Sequence, residues 1–188
     1  MTAILLRGHE LYVKTGDREA VLQEVRTAVG SGGDVLQVPG NPYCVVLWAG
    51  EDYRPPEELL EDLSRNLGVD ALWLAWQKQV DAFAFQRWVK GSAVRRLAYG
   101  VCEKERTWEL VDGSPEPWEG EALFPPIRLQ RQLRVQRLFP DAGAPCEAEL
   151  RRIWQEHLLS ADSEHPRLVA IDAAHVVARY YCLPGWTL

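Results

Sequence analysis

The sequence predicts an α+β fold, an antiparallel or mixed sheet flanked by helices, and three observations carry that prediction. Between Ala71 and Glu119, three runs dense in aromatic and β-branched residues follow one another with turn-sized gaps, the pattern of an antiparallel meander. Ahead of them, segments with apolar residues at helical spacing alternate with short strand-like runs. Behind them, a segment whose Leu, Gln and Arg content suits a helix and a run with Leu150, Ile153, Trp154 and Leu158 at helical spacing predict a helical carboxyl-terminal section.

Taken in order, Ala3 to Arg7 and Glu10 to Lys14 are expected as short strands around Gly8-His9. Asp17 is placed as a helix N-cap, because a short carboxylate there can accept the free N–H groups of a first turn. The helix is expected to reach about Val29, with Val21, Leu22, Val25, Ala28 and Val29 at helical spacing and Gly30-Ser31-Gly32-Gly33 ending it. Val35 to Val38 and Tyr43 to Trp48 are strands around Pro39-Gly40-Asn41-Pro42. Pro55-Pro56 opens a second helix with a Leu59, Leu60, Leu63, Leu67 stripe, stopped by Gly68, and with Glu57, Glu58, Glu61 and Asp62 on its other face. Leu72 to Trp76 is apolar at every position, as a central strand covered on both faces should be.

Lys90-Gly91 then sits between two strand runs as a two-residue hairpin turn, since primed turns need positive φ. The register expected from that turn sets Trp88 opposite Ala93, Gln86 opposite Arg95, Ala84 opposite Leu97 and Ala82 opposite Tyr99. The other face would pair Arg87 with Val94, Phe85 with Arg96 and Phe83 with Ala98. Arg106 to Val111 closes the meander. The order strand, helix, strand, strand, helix, strand resembles a ferredoxin-like βαββαβ unit extended by these extra strands.

Composition shifts after Val111, where Asp112 to Gly120 is turn-rich and acidic and Pro125-Pro126 is a further breaker. A boundary is expected here, with a sheet domain over 1–124 and a helical section over 125–188 packed on it, or the two as one domain. Ile127 to Leu138 is read as a helix from its Leu, Gln and Arg content, although Ile127, Leu129, Leu133 and Val135 also alternate like a strand. Glu147 to Leu159 is a helix with Leu150, Ile153, Trp154 and Leu158 as its buried stripe. A last helix runs from Asp172, taken as its N-cap, to Pro184-Gly185. The meander and the segment Val177 to Trp186 resemble uncharacterised bacterial proteins of unknown function. Asp81, Phe85, Trp88, Gly91, Arg96, Tyr99, Trp108, Gly113, Glu116, Pro117, Trp118 and Glu119 carry the resemblance, which implies a fold-defining core and no activity.

Composition narrows the function classes. With 188 residues, 47% of them hydrophobic and 26% charged, the chain can bury a sizeable core. A net charge of -6 disfavours general binding to nucleic acid or anionic membrane. No apolar run approaches a membrane span, and that of Met1 to Arg7 is too short for a signal peptide, so a cytoplasmic protein with no membrane attachment is expected. Cys44, Cys102, Cys146 and Cys182 have no zinc-binding spacing and are expected as buried free thiols.

No GxSxG, P-loop, GxGxxG or HExxH pattern is present, which leaves four constellations. Asp81, Arg87 and Arg96, with Arg95, lie among Phe and Trp and could line a small-molecule pocket over the meander. His157, His165 and His175, with Glu156, Glu164 and Asp172, hold metal-type donors at unpersuasive spacing, so no metal and no cofactor is expected. Arg128, Arg131, Arg134 and Arg137 form a run without acids, which could meet phosphates. Their three-residue steps drift around a helix, and a partner-facing or intramolecular role is more natural, with Glu57 to Asp62 and Glu116 to Glu121 as counter-charges. Of eight tryptophans, Trp118 and Trp186 fall in expected loops and are interface candidates. The favoured reading is a non-enzymatic domain that binds a protein partner or a second copy of itself, using Trp118, Trp186, Arg128, Arg131 and Arg134. The alternative is a small-molecule-binding protein or enzyme with a pocket over the meander, using Asp81, Arg87 and Arg96, and nucleic-acid binding through Arg128 to Arg137 is the weaker one.

Overall fold

The computed structural model describes residues 7–30, 33–48, 56–100, 106–138 and 145–186. Its elements are β1 (Arg7–Val13), α1 (Arg18–Val29), β2 (Gly33–Gln37), β3 (Cys44–Trp48), α2 (Glu57–Asn66), β4 (Asp70–Gln77), β5 (Ala82–Val89), β6 (Ser92–Tyr99), β7 (Trp108–Gly113), α3 (Pro117–Leu123), α4 (Pro126–Leu138), α5 (Glu147–Gln155) and α6 (Ala170–Tyr181). The strands form one antiparallel seven-stranded sheet in the order β2-β3-β1-β4-β5-β6-β7. Residues 3–6 of the first expected strand, and Cys102, lie outside the described residues. Cys44 is a buried free thiol as expected, whereas Cys146 and Cys182 are exposed, the first at the N-cap of α5 and the second at the C-cap of α6.

Side-chain alternation along the strands divides the core in two. Leu11, Val13, Trp73 and Trp88 face α1 and α2, packing on Val21, Val25, Leu60 and Leu63. Tyr12, Leu72, Leu74, Trp76, Phe83 and Phe85 face the other way, into a cluster with Trp118, Leu133, Leu150, Trp154, Ala173 and Val177. The sheet is therefore sandwiched, and Ala71 to Trp76 of β4 are buried without a break.

Several local expectations need correcting. Gly8-His9 does not interrupt β1, because Gly8 is where the Trp76 indole presses on the strand: a Cβ there would lie 2.4 Å from its ring. The hairpin turn forms at Lys90 and Gly91, with φ 50 and φ 80, and Trp88 opposes Ala93. A β-bulge between Arg87 and Trp88 then shifts the register, so that Arg87 opposes Arg95, Gln86 opposes Arg96, Phe85 opposes Leu97 and Phe83 opposes Tyr99. Without the bulge, Phe85 would share a face with Arg96. With it, the rings of β5 and the apolar residues of β6 enter one core.

The turn-rich stretch holds helix α3. Glu116 caps it, Pro117 occupies its first turn and Glu119 completes a capping box. The helix expected to reach Leu159 stops at Gln155, and Leu158 is 39% exposed. Asp172 lies in the first turn of α6 without capping it; Asp81, at the start of β5, accepts a hydrogen bond from the Ala170 N–H instead (3.4 Å). Asp17 accepts from the Ala20 N–H at 3.0 Å, as expected of an N-cap, and α4 is a helix. No helix among the described residues is long and apolar enough to cross a membrane.

Candidate functional site

The bulge brings Arg87 and Arg95 side by side on the face covered by α3 and α6. Two like charges directly opposite would repel, and α3 supplies the carboxylates that offset this. Arg95 donates to Glu119 through Nε (2.8 Å) and Nη2 (2.7 Å), and through Nη1 to the Gly113 carbonyl (2.7 Å). Arg87 donates to Glu116 (2.9 Å) and Asp70 (2.8 Å), and lies 5.9 Å over the Tyr181 ring. The Tyr181 hydroxyl donates to the second Glu116 oxygen, and the Glu116 N–H donates to Glu119 (2.8 Å). Burial, then the Glu116 carboxylate, pushes the Tyr181 hydroxyl pKa far up. Burial acts against the Arg87 charge, but its bonds to Glu116 and Asp70 outweigh this and raise its pKa. Every oxygen of Glu116 and Glu119 accepts at least one bond, so both carboxylates are engaged in contacts that hold α3 and α6. The arrangement is a clamp fastening α3 and α6 to the meander.

Asp81, Arg87 and Arg96, expected to share a pocket, lie apart in the structure. Arg96 pairs with Gln86 on the opposite face from Arg87, where it meets Asp112 (2.7 Å) and Glu57 (3.5 Å). Asp81 is taken up by the amino end of α6. A 120 Å³ hollow at the β4–β5 end is lined by Trp76, Val80, Phe83 and Gly100, among others, and by none of the three.

The loop tryptophans are also spent internally. Trp118 sits in α3, 2% exposed, against Phe83 and Phe85. Trp186 is half-buried on Trp76, ring centroids 4.6 Å apart, and its indole N–H donates to the Tyr12 hydroxyl (2.8 Å). The histidines scatter: His157 stacks on Phe124, His175 lies edge-on to Trp186, and burial pulls the His165 pKa down. Among the described residues, no three His, Cys, Asp or Glu side chains gather as a metal site.

The arginine run behaves differently. Successive residues of a helix turn by about 100°, which puts Ile127, Arg131, Arg134, Val135 and Leu138 on one outward arc of α4. Ile127 is 61% exposed, Val135 53% and Leu138 62%, while Leu133 alone is buried among the described residues of this helix. Arg128 and Arg137 flank the arc and are neutralised by Asp172 (3.3 Å) and Glu147 (2.9 Å). Burial also lowers the Arg128 pKa. Arg131 and Arg134 are exposed and make no ion pair among the described residues. The acidic stretch Glu116 to Glu121 does not serve this run, because it holds Arg87, Arg95 and Arg179.

The sheet edges offer less. The Val35 N–H is bonded to Asp34 (2.7 Å) and its carbonyl to Arg18 (2.7 Å), so side chains seal the middle of the β2 edge. On β7, Trp108 exchanges backbone bonds with Ser163 and Asp162. Comparison of the chain with protein-family models, curated proteins and solved structures finds no match.

Proposed function

We propose that this chain is a non-enzymatic protein-interaction domain that holds its partner on the outward face of α4. The observation that carries the reading is three aliphatic side chains more than half exposed in one arc, around two unpaired arginines, on a helix that buries only Leu133 among the described residues. Such a face gains by being covered, and its Arg131 and Arg134 are two of the interface residues expected from the sequence. The saturated clamp supports a non-enzymatic role, since its charges are committed to holding α3. Two arginines that make no ion pair among the described residues, on a chain of net charge -6, give little support to nucleic-acid binding. Free Cys44, Cys146 and Cys182 favour a reducing, cytoplasmic setting. The sheet order β2-β3-β1-β4 favours a ferredoxin-like reading of the first six elements, a scaffold that hosts many functions.

The test compares native mass spectra of the protein purified gently from its host with those of Val135→Asp and Leu138→Asp variants, and with Thr27→Asp on α1 as the control. A partner mass retained by the control and lost from the two α4 variants is expected. Equal partner occupancy in all of them would sink the reading.

A further inference from the structure

We infer that the occupant of the α4 face is an acidic amphipathic helix of another protein; this rests on the α4 reading above. The residue pattern along the helix sets the chemistry. Ile127 lies at the amino end of the arc, Val135 and Leu138 at the carboxyl end, and Arg131 and Arg134 between them, one turn apart. Thirteen residues of helix present a face about 20 Å long. A partner helix packed along it would place aliphatic side chains at both ends and carboxylates a turn apart in the middle.

Charge complementarity separates this occupant from the others. A second copy docked through its own α4 in antiparallel fashion sets arginine against arginine, and α4 contains no Asp or Glu to relieve them. A second copy docked through α2 would offer Glu61 and Asp62, already held by Arg65, Glu57, already held by Gln86 and Arg96, and one further exposed carboxylate, Glu58, for two arginines. An anionic membrane would attract two arginines and repel a molecule of net charge -6. An acidic helix meets both cations and covers the three aliphatic residues that surround them.

The probe is a fluorescein-labelled, helix-stapled peptide with leucines on one face and glutamates between them; its twin carries lysine for every glutamate. Fluorescence anisotropy with the full chain reads both. The glutamate peptide is expected to bind and the lysine peptide not, while Arg131→Glu with Arg134→Glu weakens the first by more than about tenfold and admits the second. Gain of the lysine peptide shows that the double variant is folded. Indifference to peptide charge, or binding of neither peptide, would overturn the inference. So would a wild-type oligomer in sedimentation that Val135→Asp dissolves, or retention of the wild type but not the double variant on vesicles of anionic phospholipid. If Val135→Asp and Leu138→Asp abolish partner recovery while the peptides show no charge preference, the α4 reading stands and the acidic helix falls. If the two variants leave partner recovery intact, the α4 reading itself fails.

Discussion

Arg95 and Glu119 face each other with 2% and 4% of their side-chain surfaces exposed, bonded at two points. Removing one partner strands the other charge in a dry site, so Arg95→Met should cost about 3–5 kcal/mol of stability in urea titrations. Arg95→Met combined with Glu119→Gln, which keeps an acceptor for the Glu116 N–H, should recover much of that loss, because no charge is then stranded; an equally unstable double variant would show that the clamp does more than balance its own desolvation. His165 gives the acid dependence. Burial, then Arg167, holds its folded pKa below the ordinary 6.5. The folded state thus disfavours the proton, and stability present above about pH 6.5 is lost as pH falls toward the lowered folded pKa. The melting temperature should drop between pH 7 and pH 5.5, and His165→Gln should flatten that slope. Asp112 and Glu147, held low by Arg96 and by Arg137 with Arg151, act in the same direction but below the ordinary carboxylate range. An unchanged slope in His165→Gln would assign the effect elsewhere. The Glu147–Arg151 pair stands at i,i+4 spacing and was legible in the sequence, whereas Arg95 and Glu119 are brought together by the bulge and by α3, two features that periodicity does not display.

Among the elements, what local chemistry dictates was readable and what distant partners decide was not. Lys90-Gly91 announces its turn because only positive φ suits it, whereas the bulge beside it depends on where Phe83 and Phe85 can be buried. Asp17 caps its own helix, but the amino end of α6 is bonded by Asp81, 89 residues away, and no spacing rule reaches that far. Trp118 was misplaced because Pro117 signals a break, although Glu116 and Glu119 stand at capping-box spacing and could have revealed α3. The arginine drift around α4 was legible, but which two arginines stay unpaired depends on Asp172 and Glu147. Two turn glycines separate strain from crowding. Gly68 and Gly113 both have positive φ, 68 and 81, but a Cβ on Gly68 meets nothing within 4 Å and one on Gly113 would lie 2.0 Å from the Val94 carbonyl oxygen. Gly68→Ala should cost about 1–2 kcal/mol, the left-handed strain alone. Gly113→Ala should cost clearly more and loosen β7 from β6, read as earlier hydrogen exchange at Leu110 and Val111. Equal costs would mean that β7 shifts freely.

At the scale of the molecule, the expected boundary near residue 124 runs through a shared core. Tyr12, Phe83 and Phe85 of the sheet are fully buried, in one cluster with Leu133, Leu150, Ala173 and Val177 of the last three helices. Trp186 reaches back 174 residues to bond Tyr12 and lies on Trp76, tying the carboxyl-terminal segment to the centre of the sheet. Take residues 125–188 away, and those aromatic rings would meet water on a sheet face that, among the described residues, keeps only α3 as cover. At about 25 cal/mol per Å² of apolar surface, a face of several large rings amounts to many kcal/mol, comparable with the whole stability of a domain this size. The two segments should therefore unfold together, with tryptophan fluorescence and far-UV circular dichroism following one denaturant curve, and the fragment 1–124 should lack cooperative unfolding on its own. Two separated transitions, or a fragment 1–124 that unfolds cooperatively, would show that the carboxyl-terminal helices are an independent unit docked on a sheet that does not need them.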